Sequence, residues 1–205
     1  MNKKGQMSGG AVALIILGIV VFLVLIAVGM YNGLVKKDVE VTNQWAKVQA
    51  SYQRRADLIP NLVETVKGSA SFEMTTLTQI TEMRSQAGQI QSQVASATTP
   101  EQLAATQSEM SGLLSRLMVI VEAYPTLKSN ENFLALQDEL AGTENRIQFE
   151  RNNYNDAVRN YQVGVRSFPT NIIANMYGFD ADKYNMFQAD AGADKAPKVG
   201  FNFTN

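Results

Sequence analysis

The chain has 205 residues with 18 Lys or Arg, 19 Asp or Glu, no histidine and no cysteine, for a formal net charge of −1. Without His or Cys there is no Ser-His-Asp or Cys-His catalytic arrangement, no HExxH or thiolate zinc site and no CxxC redox pair. No disulfide can contribute to stability, and the near-balanced charge gives no reason to expect nucleic acid as a partner.

A short basic tail, residues 1–10 with Lys3 and Lys4, precedes the run Ala11 to Met30, which is uncharged and dominated by Leu, Ile and Val. At about 1.5 Å per residue, a helix over that run spans roughly 30 Å, the hydrocarbon thickness of a bilayer. A buried core helix is seldom apolar on every face for so long. Ala27-Val28-Gly29 has the form of a signal-peptidase site. The apolar run exceeds the usual h-region, however, and the helical pattern continues through that site, which favours an uncleaved transmembrane anchor. Lys3 and Lys4 before the span, against Lys36, Lys37 and Lys47 after it, do not choose an orientation.

From Tyr31 to Phe168 the apolar residues recur at three- and four-residue steps. Val41, Trp45, Val48 and Tyr52 form one such series, and Val63, Val66, Ala70, Leu77 and Ile80 another. A third helix opens at Thr99-Pro100-Glu101-Gln102, a capping box with proline at the first helical position, and stops before Pro125. A fourth starts at Asn130 as cap and runs through Leu136, Leu140, Ile147, Tyr154, Val158 and Val165 to Phe168-Pro169. Pro60 inside a helix costs about 3 kcal/mol, whereas in the first turn of a new helix it costs little. A turn at Asp57 to Pro60 therefore gives helices over 31–57, about 60–95, 100–124 and 130–167. The alternative is one kinked helix broken near Gly68. Either way the expectation is an all-α protein: an N-terminal transmembrane helix, then an antiparallel four-helix bundle over 31–168.

Ser85 to Thr99, rich in Gln, Ser, Ala and Thr, reads as a frayed helix end or solvent-exposed tip. The irregular C-terminal tail, 169–205, carries Tyr177, Phe179, Tyr184, Phe187, Phe201 and Phe203. Disordered tails are poor in aromatics, so this one is expected to pack on the bundle or on a neighbouring subunit.

Three polar clusters interrupt the apolar pattern: Gln53 to Asp57, Gly142 to Arg146, and Glu150 to Asn155. Arg, Asp, Glu and Asn at such places orient helices through ion pairs and bonds to helix-end carbonyls. As chemistry, Asp57, Glu64, Glu144 and Glu150 are candidate ligands for Mg²⁺ or Ca²⁺, or acid–base groups, although they lack the spacing of a recognised oxygen-ligand loop. A di-iron bundle needs Glu-x-x-His, and there is no His. No phosphate-binding GxxxxGK occurs.

Tyr31-Asn32-Gly33-Leu34-Val35, the string Arg54 to Val63, and Val66-Lys67-Gly68 closely resemble the bacterial LemA family. So do Tyr124-Pro125, Leu127-Lys128, Gly142 to Ile147, Arg151 with Tyr154 and Asn155, Phe168-Pro169, Gly178-Phe179, and Ala196-Pro197-Lys198-Val199 with Phe201. The stretch Ser69 to Glu73 lacks the histidine that the family pattern places before that Glu. The resemblance implies a membrane-anchored four-helix bundle, with a short N-tail outside and the bundle in the cytoplasm. It carries no catalytic residue set and no cofactor. Some members are encoded beside a membrane metalloprotease, which implies an adaptor or quality-control role.

The residues together point to a non-enzymatic, single-pass interaction or adaptor protein, anchored in the bilayer through residues 11–30. Its expected partner is a further copy, since anchored bundles meet at high effective concentration, or another membrane protein. The structural and interaction candidates are Arg54, Arg55, Asp57, Pro60, Asn61, Glu144, Asn145, Arg146, Arg151, Tyr154, Asn155, Phe179 and Phe201. A metal-carboxylate enzyme and a membrane-associated sensor module are the rival expectations.

Overall fold

The computed structural model describes residues 9–69 and 72–188. Six helices account for nearly all of them: α1 (Gly9–Ser69), α2 (Met74–Ser96), α3 (Pro100–Ala123), α4 (Pro125–Lys128), α5 (Glu131–Arg166) and α6 (Thr170–Tyr177). The fold is all-α, and α1 is long and apolar enough to cross a membrane. Among the described residues its apolar first part is left uncovered: Leu14, Phe22 and Leu25 are all exposed.

Helix α1 continues through Pro60 and ends at Ser69, so of the two expected breaks the turn at Asp57 to Pro60 is not there. The physical reason lies on both sides of the proline. Ile59, Leu62, Val63 and Val66 are fully or almost fully buried. Each such side chain contributes about 1.5–3 kcal/mol, which together exceed the cost of one interior proline. The helix ends at Ser69, beside Gly68, where the alternative reading places the break.

Pairings between side chains set the topology. Glu64 meets Arg84 and Asp57 meets Gln91, so α2 runs antiparallel to α1. Arg116 of α3 donates to Gln86 of α2, and Gln107 of α3 to Glu144 of α5. Lys37 reaches the Asn160 carbonyl (3.0 Å) near one end of the α1–α5 pair, and Arg54 reaches Glu139 near the other. Up, down, up and down, α1, α2, α3 and α5 form the bundle.

The four helices are unequal in extent. Gln49 of α1 donates to the carbonyl of Ala97, in the turn joining α2 to α3, at 2.8 Å. Those two helices therefore cover only the distal part of α1, from about residue 49 onward. The core there contains Tyr52, Ile80, Leu103, Met110, Leu113, Leu117 and Phe133. Ser85–Thr99, expected as a frayed tip, is instead regular helix as far as Ser96, and it buries Ala87, Ile90 and Val94. Its apolar residues are few but spaced at three and four, which is enough for one face.

Below that level α1 is accompanied by α5 and by the segment after it. Residues 170–177, expected as irregular tail, form α6, closed by Gly178 at φ 75°. The Phe179 N–H donates to the Ala174 carbonyl at 2.9 Å, the longer bond of a Schellman closure. Residues 178–188 then run back along α1 and α5 without forming a helix. On α5, Gly164 lets the Lys37 side chain cross close by; an added Cβ there would sit 2.9 Å from Lys37 Cδ.

Candidate functional site

The polar clusters gather along the seam between α1 and α5. Arg55, buried on α1, pairs with Glu144 of α5, which also accepts from Gln107 of α3 at 2.7 and 2.9 Å. Three helices are tied at that point. Burial lowers the Arg55 pKa, opposed by nearby Tyr52, and the Glu144 carboxylate supplies the compensating charge. One turn up α1 from Pro60, in the direction of its N-terminus, Asp57 accepts from Gln53 (2.8 Å) and Gln91 (3.1 Å). Glu150 is almost wholly buried and is paired with Arg146 at 2.6 Å, while Asn153 donates to its second oxygen at 3.3 Å. Asn61 and Asn145 are exposed.

The four candidate carboxylates are thus separated, each with its own partner; Glu64 is held by Arg84. Among the described residues no group of three acidic side chains converges on a common point. Such convergence is what an oxygen-ligated cation requires.

The second part of the seam is a clamp on the tail. Asn155 Nδ2 donates to the Phe187 carbonyl at 2.9 Å, and the Phe187 N–H donates back to Asn155 Oδ1 at 2.8 Å. A side-chain amide here pairs with the backbone N–H and C=O of one residue, as a neighbouring antiparallel strand would. Arg151 donates to the Gln188 carbonyl at 3.1 Å and lies over the Phe187 ring, 4.9 Å from its centre. Trp45 of α1 and Tyr154 of α5 complete the socket, with ring centres 6.2 and 5.6 Å from Phe187. Desolvation, reinforced by Tyr184 and Glu101, pushes the Tyr154 phenol up to about 12.

Nearer the apolar segment, Asp38 accepts from Lys183 at 2.8 Å and from Tyr184 at 3.0 Å. The bond to Asp38 holds the Lys183 ammonium above its ordinary pKa. Phe179 and Tyr177 pack on Tyr31, at 5.7 and 4.8 Å. Further along, Asn185 reaches Glu101 at the start of α3, at 3.4 Å.

Of the expected site residues, the seam brings together Arg54, Arg55, Glu144, Arg146, Arg151, Tyr154 and Asn155; Asp57 and Pro60 belong to the distal helix packing. Phe201 lies outside the described residues. Sequence reasoning passed over Asp38, Trp45, Gln107, Lys183 and Phe187 as site residues. The signal for Phe187 was present in the aromatic content of the tail, but nothing local pointed to its socket. A groove of ≈ 270 Å³, lined by Lys47, Ser51, Arg54, Thr143 and Arg146 among others, lies on a different face of α1 from Asp38 and Trp45.

The sequence model of the LemA family matches residues 44–201. The chain belongs to the LemA family. The match takes in α1 from Gln44 onward, the rest of the bundle and the clamped tail, and it leaves out the exposed apolar part of α1. Protein LemA of Metamycoplasma hominis is 29% identical over 164 residues, covering 79% of this chain and 70% of that protein. Magnetosome protein MamQ of Magnetospirillum gryphiswaldense is 23% identical over 191 residues, covering 84% of this chain and 70% of its own. Magnetosome protein MamQ 2 of Paramagnetospirillum magneticum is 35% identical, but over 81 residues, 40% of this chain and 29% of that protein. None of these relatives is named for a reaction.

Proposed function

We propose that this LemA-family protein is a single-pass, membrane-anchored adaptor or scaffold without enzymatic activity, with residues 11–30 as its anchor. The observation that carries the proposal is the use made of its polar side chains. Arg54 and Arg55 tie α1 to α5, Arg151 and Asn155 tie the tail to α5, and Arg146 and Glu150 pair with each other within α5. Leu134, Phe149 and Val163 are exposed apolar side chains on α5 that a partner could cover. The partner is a second copy or another membrane protein, held beside it in the same bilayer at high effective concentration. A role in membrane-protein quality control is the specific version that fits an adaptor.

The test is photo-cross-linking in intact membranes from Phe149 and Val163, using the full-length chain. Discrete adducts, at twice the chain mass or at the mass of a membrane protein recovered from both positions, are the expected result. Strictly monomeric behaviour in mild detergent, with no adduct from either position, overturns the proposal.

A further inference from the structure

The exposed apolar side chains of the bundle are mostly scattered singly, as is ordinary for protein surfaces. The segment around α6 differs. Ile172 and Met176 stand one turn apart on that helix and are 55% and 65% exposed, flanked by Phe168 at 81% and Tyr177 at 61%. The opposite face, Ile173 and Ala174, is buried against the bundle.

The position of this face identifies what covers it. The antiparallel register, with Lys37 opposite Asn160, brings Phe168 level with the last turn of the apolar run of α1. The other end of α6 stands at the same height, because Tyr177 packs on Tyr31, the first residue beyond that run, at 4.8 Å. A helix whose two ends share one level crosses the base of the bundle instead of climbing its side. Two tyrosines at that level are what a membrane–water boundary selects, and exposed Lys36 stands one turn above.

We infer that α6 is an interfacial helix: its face of Ile172, Met176 and flanking Phe168 lies in the headgroup–acyl boundary of the bilayer that α1 crosses. The inference rests on the anchor reading of residues 11–30. The bundle is then held to the membrane at two points, the span and the base helix, which fixes its rotation about α1 relative to the membrane plane. Short amphipathic helices bind such boundaries weakly alone, but an attached span supplies the second signal.

The chain has no native cysteine, so each introduced one carries a spin label uniquely. The full-length variants Val20→Cys, Met176→Cys and Val119→Cys are reconstituted into phosphatidylcholine–phosphatidylglycerol vesicles. Collision with oxygen, which concentrates in lipid, is compared with collision with a water-soluble nickel chelate. The expected result is nickel collision several-fold lower at positions 20 and 176 than at 119, with oxygen collision raised at both. A label at 176 that meets nickel as often as one at 119, while 20 stays shielded, overturns the inference and leaves the anchor standing. Nickel access at 20 overturns the anchor reading itself, and the inference with it. Shielding at 176 with dipolar broadening that vanishes on dilution with unlabelled protein assigns the face to a second copy, and also overturns it.

Discussion

The two ends of the bundle are built differently on the same pair of helices. Away from the apolar segment, α1 and α5 are joined by α2 and α3, and the contacts are aliphatic, with Leu103, Leu113 and Leu117 at or near full burial. Toward the apolar segment those helices are missing, and the space is taken by α6 and residues 178–188, held by single polar and aromatic contacts such as Asn155 to Phe187 and Asp38 to Lys183. The first kind of packing follows from repeated apolar spacing and opens only when the bundle does. The second depends on a few long-range contacts, so it has a lower local stability and can open on its own. One scaffold thus combines a rigid distal body with a detachable proximal closure.

The largest test of that contrast is Leu117→Ala, which should cost about 2–5 kcal/mol in urea unfolding of the full-length chain, since the side chain is fully buried. Phe187→Ala deletes a comparable volume, but it should instead release residues 178–188, seen as fast hydrogen exchange there with distal protection unchanged. Equal loss of protection at both ends would show that the two regions are one cooperative unit. Pro60→Ala restores a donor to the Ala56 carbonyl inside α1 and should stabilise the distal body by up to about 3 kcal/mol. Glu144→Ala leaves Arg55 buried without its carboxylate and should cost about 1.5–3 kcal/mol, toward the lower figure because Glu144 is half-exposed.

Smaller still, Asn155→Ala should loosen the tail by about 1 kcal/mol, read from the fluorescence of Trp45, the chain's single tryptophan. The same signal gives a pH test. The Tyr154 phenol is raised from 10.0 to about 12 in the folded protein, so folding favours its neutral form. Its contribution is whole below pH 10 and is lost between there and about 12. Lys183, also raised, favours its charged form and fails in the same alkaline direction. Tail release on the alkaline side should therefore shift upward in Tyr154→Phe, and an unchanged midpoint would remove Tyr154 from the clamp's energetics.

What could be read without coordinates divides along the same line. The Thr99 capping box, with Gln102 closing it at 3.2 and 3.3 Å, and the Asn130 cap on Phe133 at 3.1 Å are local chemistry, visible as residue patterns. The sequence leaves two places for the first break, Pro60 and Gly68, because the local cost of proline is legible there while the burial of Ile59 and Val63 that outweighs it is tertiary. The expectation of an irregular tail missed α6, although Gly178 following an apolar run carried its closing signal. The seam arginines and carboxylates stood out as clusters, but their pairing across 85 to 89 residues did not. Trp45 looked like one more core position, and nothing near it in sequence announces Phe187.

The single rod of α1 has a mechanical consequence. It has 61 residues without a break, roughly 90 Å at 1.5 Å per residue, and the part beyond Met30 accounts for nearly two-thirds of that. With residues 11–30 as the proposed membrane anchor, one continuous helix joins span and body, so a lean of the span is passed to the body and enlarged by leverage toward the tip. A lean of a few degrees carries the Phe72–Tyr124 corner sideways by several ångströms, since that corner stands roughly 60 Å beyond Met30 at helical rise. On that proposal the helix works as both a standoff and a pointer, setting how far from the bilayer the corner is held and translating bilayer thickness into its position.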